Sequence, residues 1–250
     1  MTTRFLVIKT GRTYDSIRER HGCFDDWMAA GLGVPRDRVD VVSVFEGEAL
    51  PARFDDYDGL VITGSPAMVT ERLPWSEALA RRLAGEVTGA ADAVPVIGIC
   101  YGHQLLANAL GGEVAYNPRG REIGTVAIAL TGAHGDDALF AGLAGAQGRF
   151  DAHVTHLQSV VRLPPGSVHL AASALEPHQA FRVGDRVWGV QFHPEFTADI
   201  MRAYIDLLGD RMRGEGIEPR PVYDAVRPAP VGNDVLRRFA VLAASLRKRT

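Results

Sequence analysis

The stretch 94–112, VPVIGICYGHQLLANALGG, predicts a buried strand that turns sharply into a helix. Branched apolar residues occupy four of the positions 94–99, namely Val94, Val96, Ile97 and Ile99, which is typical of a strand covered on both faces. Leucine and alanine then recur at helical spacing from Leu105 onward. The turn between them has the form Gly-x-nucleophile-x-Gly, with Cys100 at its centre. The stretch therefore predicts a cysteine held on a strained strand-to-helix turn.

A cysteine in this position is suited to nucleophilic chemistry. The dipole and the unpaired N–H groups at a helix N-terminus favour the thiolate form, and the same N–H groups can stabilise an oxyanion. The alternative is that Cys100 is a small buried core residue, which is the usual role of a free cysteine. The strand-turn-helix context favours the nucleophile.

A candidate base lies in the stretch 187–195, VWGVQFHPE. Its apolar part predicts another buried strand, which Pro194 ends. His193 leaves the strand end and Glu195 follows two residues later, so a carboxylate can orient the imidazole. Alone, this motif fits a surface loop about as well. Together with the cysteine turn, it predicts a Cys-His-Glu triad.

These two motifs and a third, VITGSP at 61–66, resemble the motifs of the class I glutamine amidotransferases. Their order and separations also match, over roughly residues 4–208. The similarity extends to free-standing proteins that resemble the amidotransferase domain of GMP synthase. The resemblance implies that Cys100, His193 and Glu195 remove the γ-amide of glutamine through a glutamyl thioester, without a cofactor.

The resemblance also implies an oxyanion hole and a substrate site. The oxyanion hole consists of the backbone N–H groups of Ser65 and Tyr101. A second glycine is common at position 65, so the hole is either preformed or assembled when substrate binds. The implied substrate-binding residues are Gly64, Gln104, Gln158 and Ser159. Gln158 and Ser159 belong to the stretch 155–160, which matches a histidine-containing loop of the family.

The alternation of strands and helices predicts an α/β fold. Strands over 4–9, 39–45, 57–63 and 94–99 imply a three-layer, flavodoxin-like arrangement, with a mostly parallel sheet and helices on both faces. Ligands then bind beyond the carboxyl ends of the strands, where Cys100 lies. The second half of the chain adds short segments that predict antiparallel strands. The local sequence pattern predicts one helix over 15–31 and another over 136–143.

The predicted domain covers residues 1–208. Residues 209–232 are rich in Arg, Pro, Glu and Gly and predict a loop or connector. Asn233 is placed to cap a last helix, so residues 209–250 form a connector and a C-terminal helix that packs on the same domain. Binding of that helix to a partner subunit is the alternative.

The composition of the chain excludes several classes of protein. A chain of 250 residues with 46% hydrophobic content predicts one large domain, or at most two small ones. Its net charge of −3 gives no sign of nucleic-acid binding. Two cysteines do not make a disulfide framework, and no segment predicts a signal or a membrane span, so we expect a cytoplasmic protein. Only two of the 27 basic residues are lysines, a bias to which we assign no function. His153 and His156 lack further ligands nearby, so no metal site is expected.

Three functions remain open. The favoured one is hydrolysis of glutamine or a γ-glutamyl compound, releasing ammonia to a synthetase or acceptor subunit, or a larger amine if the protein is a γ-glutamyl peptidase. The sequence has no Gly-Lys-Ser/Thr, which excludes a Walker phosphate loop. It also has no Ser-Gly-Gly-x-Asp-Ser loop of the ATP-pyrophosphatase type, so only the ammonia-producing half is expected. The second is a cysteine peptidase of the PfpI type, although Tyr101 occupies the place where those proteins have histidine. The third is a non-catalytic regulatory subunit, against which the complete triad argues.

Overall fold

The computed structural model describes residues 3–87, 93–144 and 147–247. The strands are β1 Phe5–Lys9, β2 Val39–Ser43, β3 Gly59–Ile62, β4 Val96–Ile99, β5 Glu113–Tyr116, β6 Glu122–Leu130, β7 Arg149–His156, β8 Gln158–Arg162, β9 Val168–Ala172, β10 Ala180–Val183 and β11 Val187–Val190. The helices are α1 Asp15–His21, α2 Phe24–Leu32, α3 Pro74–Val87, α4 Tyr101–Ala109, α5 Ala198–Gly214, α6 Pro219–Asp224 and α7 Pro230–Arg247.

A nine-stranded sheet in the order β2-β1-β3-β4-β11-β10-β9-β6-β7 forms the centre of the fold. The first five strands are parallel, and the strands beyond β11 pair antiparallel. Alternate residues of β1 point to opposite faces: Phe5 and Val7 join a core with α2 and α7, whereas Leu6 and Ile8 join a core with α3 and α4. This confirms the predicted three-layer α/β fold with added antiparallel strands.

Two glycines allow the turn from β4 into α4 to pack tightly. A Cβ atom on Gly98 would lie 2.4 Å from the carbonyl oxygen of Gly102, and one on Gly102 would lie 2.4 Å from that of Ile62. Both contacts are with backbone, which cannot move aside without displacing β3 or α4. The Gly-x-Cys-x-Gly spacing is therefore required by packing as well as by the turn.

We expect Gly102→Ala to lower the free energy of unfolding by about 1–3 kcal/mol, because overpacked cores lose about this much. Gly85 provides the matched control, since it also lies in a helix and a Cβ there meets no atom within 4 Å. Gly85→Ala should raise stability by up to about 1 kcal/mol. Urea titration of both variants measures the difference, and equal midpoints would contradict the packing argument.

Several local predictions are wrong. The helix predicted over 15–31 is two helices, because Gly22 has a φ of 81° and the Asp26 carboxylate caps a new helix at Cys23 N–H. The stretch 136–143 is not an α-helix, since the buried Asp137 carboxylate accepts hydrogen bonds from the N–H groups of Leu139 and Phe140 instead.

Another wrong prediction is the loop over 209–232. Helix α5 continues to Gly214, and α6 follows after Pro219, which occupies the favourable first position of a helix. The last helix, α7, packs against α2 and β7. The division of the chain at residue 208 stays a prediction.

Candidate active site

Cys100 occupies the strained turn that the sequence predicts. Its backbone has φ 51° and ψ −100°, in a region that side-chain-bearing residues rarely adopt. The Cys100 N–H donates to the carbonyl of Val190 on β11 at 2.9 Å, and its own carbonyl accepts the N–H of Gln104 at 3.1 Å. The neighbouring strand and the first turn of α4 thus hold the cysteine in place.

His193 lies on the loop that follows β11, and three contacts fix its position. Its N–H donates to the carbonyl of His153 on β7 at 2.8 Å. Its Nδ1 lies 2.7 Å from Glu195 Oε1, and its ring stacks on Phe196 with centroids 4.0 Å apart. In the described part of the chain, Nε2 has no hydrogen-bond partner. One nitrogen is therefore oriented by a carboxylate, while the other is unengaged.

The charge state of His193 follows from its neighbours. Burial alone would lower the pKa of this imidazole, but negative charge on Glu195 and on Cys100 outweighs burial and raises the pKa to about 10. At neutral pH His193 is thus favoured in its imidazolium form.

Gly64 lies beside both Cys100 and His193. A Cβ atom at this position would lie 3.3 Å from His193 Cε1 and 3.7 Å from Cys100 Cβ. The Gly64 carbonyl accepts hydrogen bonds from the hydroxyls of Thr10 and Thr63, at 3.1 and 2.9 Å. In a trans peptide the N–H points away from the carbonyl, so these bonds aim the Ser65 N–H away from Thr10 and Thr63.

Asn233 has a different position from the predicted helix cap. Because α7 begins at Pro230, Asn233 lies within the first turns of the helix. Its amide Nδ2 donates to the carbonyls of Pro194 and Phe196, at 2.7 and 2.8 Å. Helix α7 therefore holds the loop that carries His193 and Glu195, a role that no local signal could have predicted.

A cavity of about 680 Å³, including its open mouth, lies at the carboxyl ends of the parallel strands. Six predicted site residues line it: Ser65, Cys100, Tyr101, Gln104, Gln158 and His193. In the described ranges, neither the Ser65 nor the Tyr101 backbone N–H has an acceptor. The cavity thus combines a thiol, an imidazole and two unengaged N–H donors.

The amide of Gln104 is buried and fixed at the cavity wall. Its Nε2 donates to the Gln158 carbonyl and to Gln191 Oε1, both at 2.9 Å. Both amide protons are used in this way, so Gln104 offers its oxygen as an acceptor.

The stretch 155–160 is not the predicted loop. It comprises the end of β7 and the start of β8, which pairs antiparallel with β5. Gln158 lines the cavity, whereas Ser159 pairs with Ala115 and does not. This follows from the geometry of a strand, where successive side chains point to opposite faces.

Sequence reasoning missed other residues around the cavity, among them Thr10 and Asn233 in supporting positions and Arg121 and Arg211 in its wall. Each comes from a distant part of the chain and lacks a local motif. Among the described residues, no group of three His, Cys, Asp or Glu side chains is arranged to hold a metal ion. No helix in those same ranges is long and apolar enough to cross a membrane.

Among known proteins, this chain is similar to a glutamine-hydrolyzing synthase and to a γ-glutamyl peptidase. A GMP synthase (glutamine-hydrolyzing) of Thermomicrobium roseum is 40% identical over 137 residues, which are 55% of this chain but only 23% of that protein. Gamma-glutamyl peptidase 3 of Arabidopsis thaliana is 27% identical over 213 residues, which are 81% of each chain. The chain thus matches about a quarter of the synthase and most of the peptidase.

The fold and the family agree with these similarities. The crystal structure of a glutamine amidotransferase from Thermotoga maritima matches with a TM-score of 0.73 at 22% identity, covering 97% of this chain and 98% of the other. The family model for glutamine amidotransferase class-I matches residues 30–205. The chain therefore belongs to the class I glutamine amidotransferases.

Proposed function

We propose that this protein hydrolyses the γ-amide of glutamine, or of a γ-glutamyl compound, through a thioester on Cys100. One observation carries the proposal. The Cys100 thiol and the imidazole of His193, which Glu195 orients, lie in one cavity with the unengaged N–H groups of Ser65 and Tyr101. A nucleophile, a base with its orienting acid and an oxyanion hole are the groups that acyl transfer requires.

The reaction begins with the thiolate. His193 Nε2 takes the thiol proton, and the imidazolium is stabilised by the Glu195 carboxylate on Nδ1. The raised pKa of His193 supports this ion pair. The thiolate then attacks the γ-carbonyl carbon, and the negative charge moves to the carbonyl oxygen.

The Ser65 and Tyr101 N–H groups are proposed to bind that oxygen. The hydroxyls of Thr10 and Thr63 fix the Gly64 carbonyl before any substrate arrives, so the Ser65 N–H direction is set in advance. This supports a preformed hole over one assembled by the substrate. Preformed donors are the more effective arrangement, because they need no reorganisation during the reaction.

Collapse of the tetrahedral intermediate breaks the C–N bond. The His193 imidazolium gives its proton to the departing nitrogen, which leaves as ammonia or an amine, and Cys100 keeps the γ-glutamyl group as a thioester. Water, deprotonated by the same imidazole, then attacks the thioester and releases glutamate and the free thiol. Gln104, Gln158 and Gly64 are proposed to contact the glutamyl part, with the Gln104 oxygen accepting from the α-ammonium group. Ser159 does not line the cavity, and any part it plays is indirect.

The similar proteins support two different fates for the leaving group. The similarity to a GMP synthase supports transfer of ammonia to a synthetase or acceptor subunit. The similarity to a γ-glutamyl peptidase, which extends over 81% of both chains, supports release of a larger amine into solution. Both use the same chemistry at Cys100.

An electrophilic glutamine analogue with a diazoketone in place of the γ-amide tests the proposal. We expect it to alkylate Cys100 stoichiometrically. The His193 imidazolium protonates the diazo carbon, and the thiolate then displaces N₂ from that carbon, which lies beside a carbonyl held in the oxyanion hole. Glutamine or a γ-glutamyl substrate should slow the labelling. Peptide mass spectrometry locates the label, and Cys23 is the internal control, since it lies outside the cavity. Equal labelling of both cysteines, or no protection by any γ-glutamyl compound, would overturn the proposal.

A further inference from the structure

Helix α5 forms one wall of the cavity and leads away from His193. Tyr204, Leu208 and Arg211 all line the cavity, and their spacing places them on one face of the helix. The His193 ring stacks on Phe196, which stacks in turn on Tyr204 at 5.0 Å. This face therefore begins beside the group proposed to protonate the departing nitrogen. A leaving group larger than ammonia would lie along it.

Two arginines line the cavity on this side. Arg121 is only 6% exposed in its side chain, and its Nε and Nη2 donate to the two oxygens of Glu215, at 2.6 and 2.8 Å. This pair fixes the guanidinium and leaves Nη1 free to donate. Arg211 is an exposed residue, and in residues 3–87, 93–144 and 147–247 its guanidinium makes no hydrogen bond or ion pair.

The charges around these arginines do not balance. Glu215 is the carboxylate that faces both of them, and its pKa is lowered by the Arg121 hydrogen bond and by the charges of Arg121 and Arg211. The other cavity histidine, His156, lies 3.1 Å from its own acid, Glu122. Of the two guanidinium charges of Arg121 and Arg211, one therefore has no carboxylate of its own beside it.

A carboxylate matches this arrangement best. Its two oxygens fit the planar fork of a guanidinium, and its charge balances the excess cation. Leu208 lies on the same face and supplies apolar surface for the part of the molecule between the amide and the carboxylate. Ammonia, as a leaving group, would use none of these contacts.

We propose that Arg211 and Arg121 bind a carboxylate on the leaving group, so that the preferred substrate is a γ-glutamyl amino acid or γ-glutamyl peptide. This inference rests on the proposed hydrolysis of γ-glutamyl amides. It adds the chemical class of the amine that departs, and it assigns the arginines as specificity residues.

A matched pair of substrates tests the inference. γ-Glutamyl-2-aminobutyrate and γ-glutamylpropylamine differ only in the carboxylate of the leaving group. We expect wild-type kcat/KM to favour the carboxylated compound by about ten- to hundred-fold, the range of a hydrogen-bonded charge pair. Arg211→Gln should reduce that ratio towards one, mainly through KM. Arg213→Gln, on the same helix but outside the cavity and paired with Asp210, should keep the wild-type ratio.

The outcomes separate this inference from the proposed function. Equal hydrolysis of both compounds by the wild type overturns the carboxylate site and leaves the hydrolase intact. An unchanged ratio in Arg211→Gln, with both compounds slowed equally, would assign Arg211 to the glutamyl part and also overturn it. If neither compound nor glutamine is hydrolysed, both proposals fall. Calorimetric binding of the two compounds to Cys100→Ala gives the same comparison without turnover, and equal affinities again overturn the site.

Discussion

Cys100→Ala is expected to lower kcat for γ-glutamyl amide hydrolysis by at least about 10⁴-fold, the scale on which removal of a catalytic nucleophile acts. No thioester can form in this variant, and the Ser65 and Tyr101 N–H groups can only bind an oxyanion that another nucleophile creates. The decrease in kcat is measured from the release of ammonia or amine and, in a coupled assay, from the release of glutamate.

Cys23→Ala is the matched control, because these two residues are the only cysteines of the chain. Cys23 is buried at the start of α2, where it packs with Phe24 and Trp27. Its replacement should change stability by about 1 kcal/mol, since it removes a small buried group, and should leave kcat nearly unchanged. Activity retained in Cys100→Ala, or abolished by Cys23→Ala in a folded protein, would contradict the role of Cys100.

The Cys100→Ala variant should also remain folded. Alanine at position 100 keeps the left-handed backbone and its hydrogen bond to Val190, so the strain of the turn is unchanged. Circular dichroism and thermal unfolding should therefore match the wild type closely. A loss of activity without a loss of structure places the effect in the chemistry.

The strand-turn-helix at Cys100 was predictable because its signals are local. Periodicity marks β4 and α4, and the two glycines stand where backbone atoms approach to within contact distance. The strand structure of the stretch 155–160 was not predictable, because a short segment that mixes apolar and polar residues fits a loop as well as a strand. The pairing of β8 with β5 decides between them, and it also decides that Gln158 reaches the cavity and Ser159 does not.

Residues whose roles depend on long-range contacts could not be identified from the local sequence. Asn233 resembles a helix cap in sequence, yet its amide binds carbonyls of a loop 39 and 37 residues away. Arg121 and Arg211 come together only because α5 packs beside the start of β6. In a chain so rich in arginine, neither residue stands out from its neighbours in sequence. Composition describes the whole chain, whereas a binding site depends on a few contacts.

Glu195→Gln is expected to lower kcat/KM by about 10³- to 10⁴-fold, as replacement of the orienting acid does in related triads. The amide retains the size of the carboxylate but removes its charge from beside His193 Nδ1. An amide that presents its NH₂ group to Nδ1 would also stabilise the wrong tautomer, with the proton on Nε2. Asp199→Asn is the control, since this exposed carboxylate lies four residues further on and pairs with Arg202.

The pH dependence separates this electrostatic role from a structural one. Glu195 is the largest contributor that raises the pKa of His193 to about 10, from an ordinary value of 6.5. Wild-type kcat/KM should therefore hold through neutral pH and fall as the pH rises towards 10, where the imidazolium loses its proton. In Glu195→Gln the pKa falls, so this limb should move to lower pH by at least about one unit.

Stability should respond with the same sign. Because the folded-state pKa of His193 lies above its unfolded value, the ion pair contributes fully below about pH 6.5 and loses its contribution as the pH rises towards 10. The free energy of unfolding of the wild type should fall over that interval, and the slope should be smaller in Glu195→Gln. A residue that only shaped the loop would alter stability equally at every pH. An unshifted basic limb together with an unchanged slope would therefore show that Glu195 does not set the charge of His193.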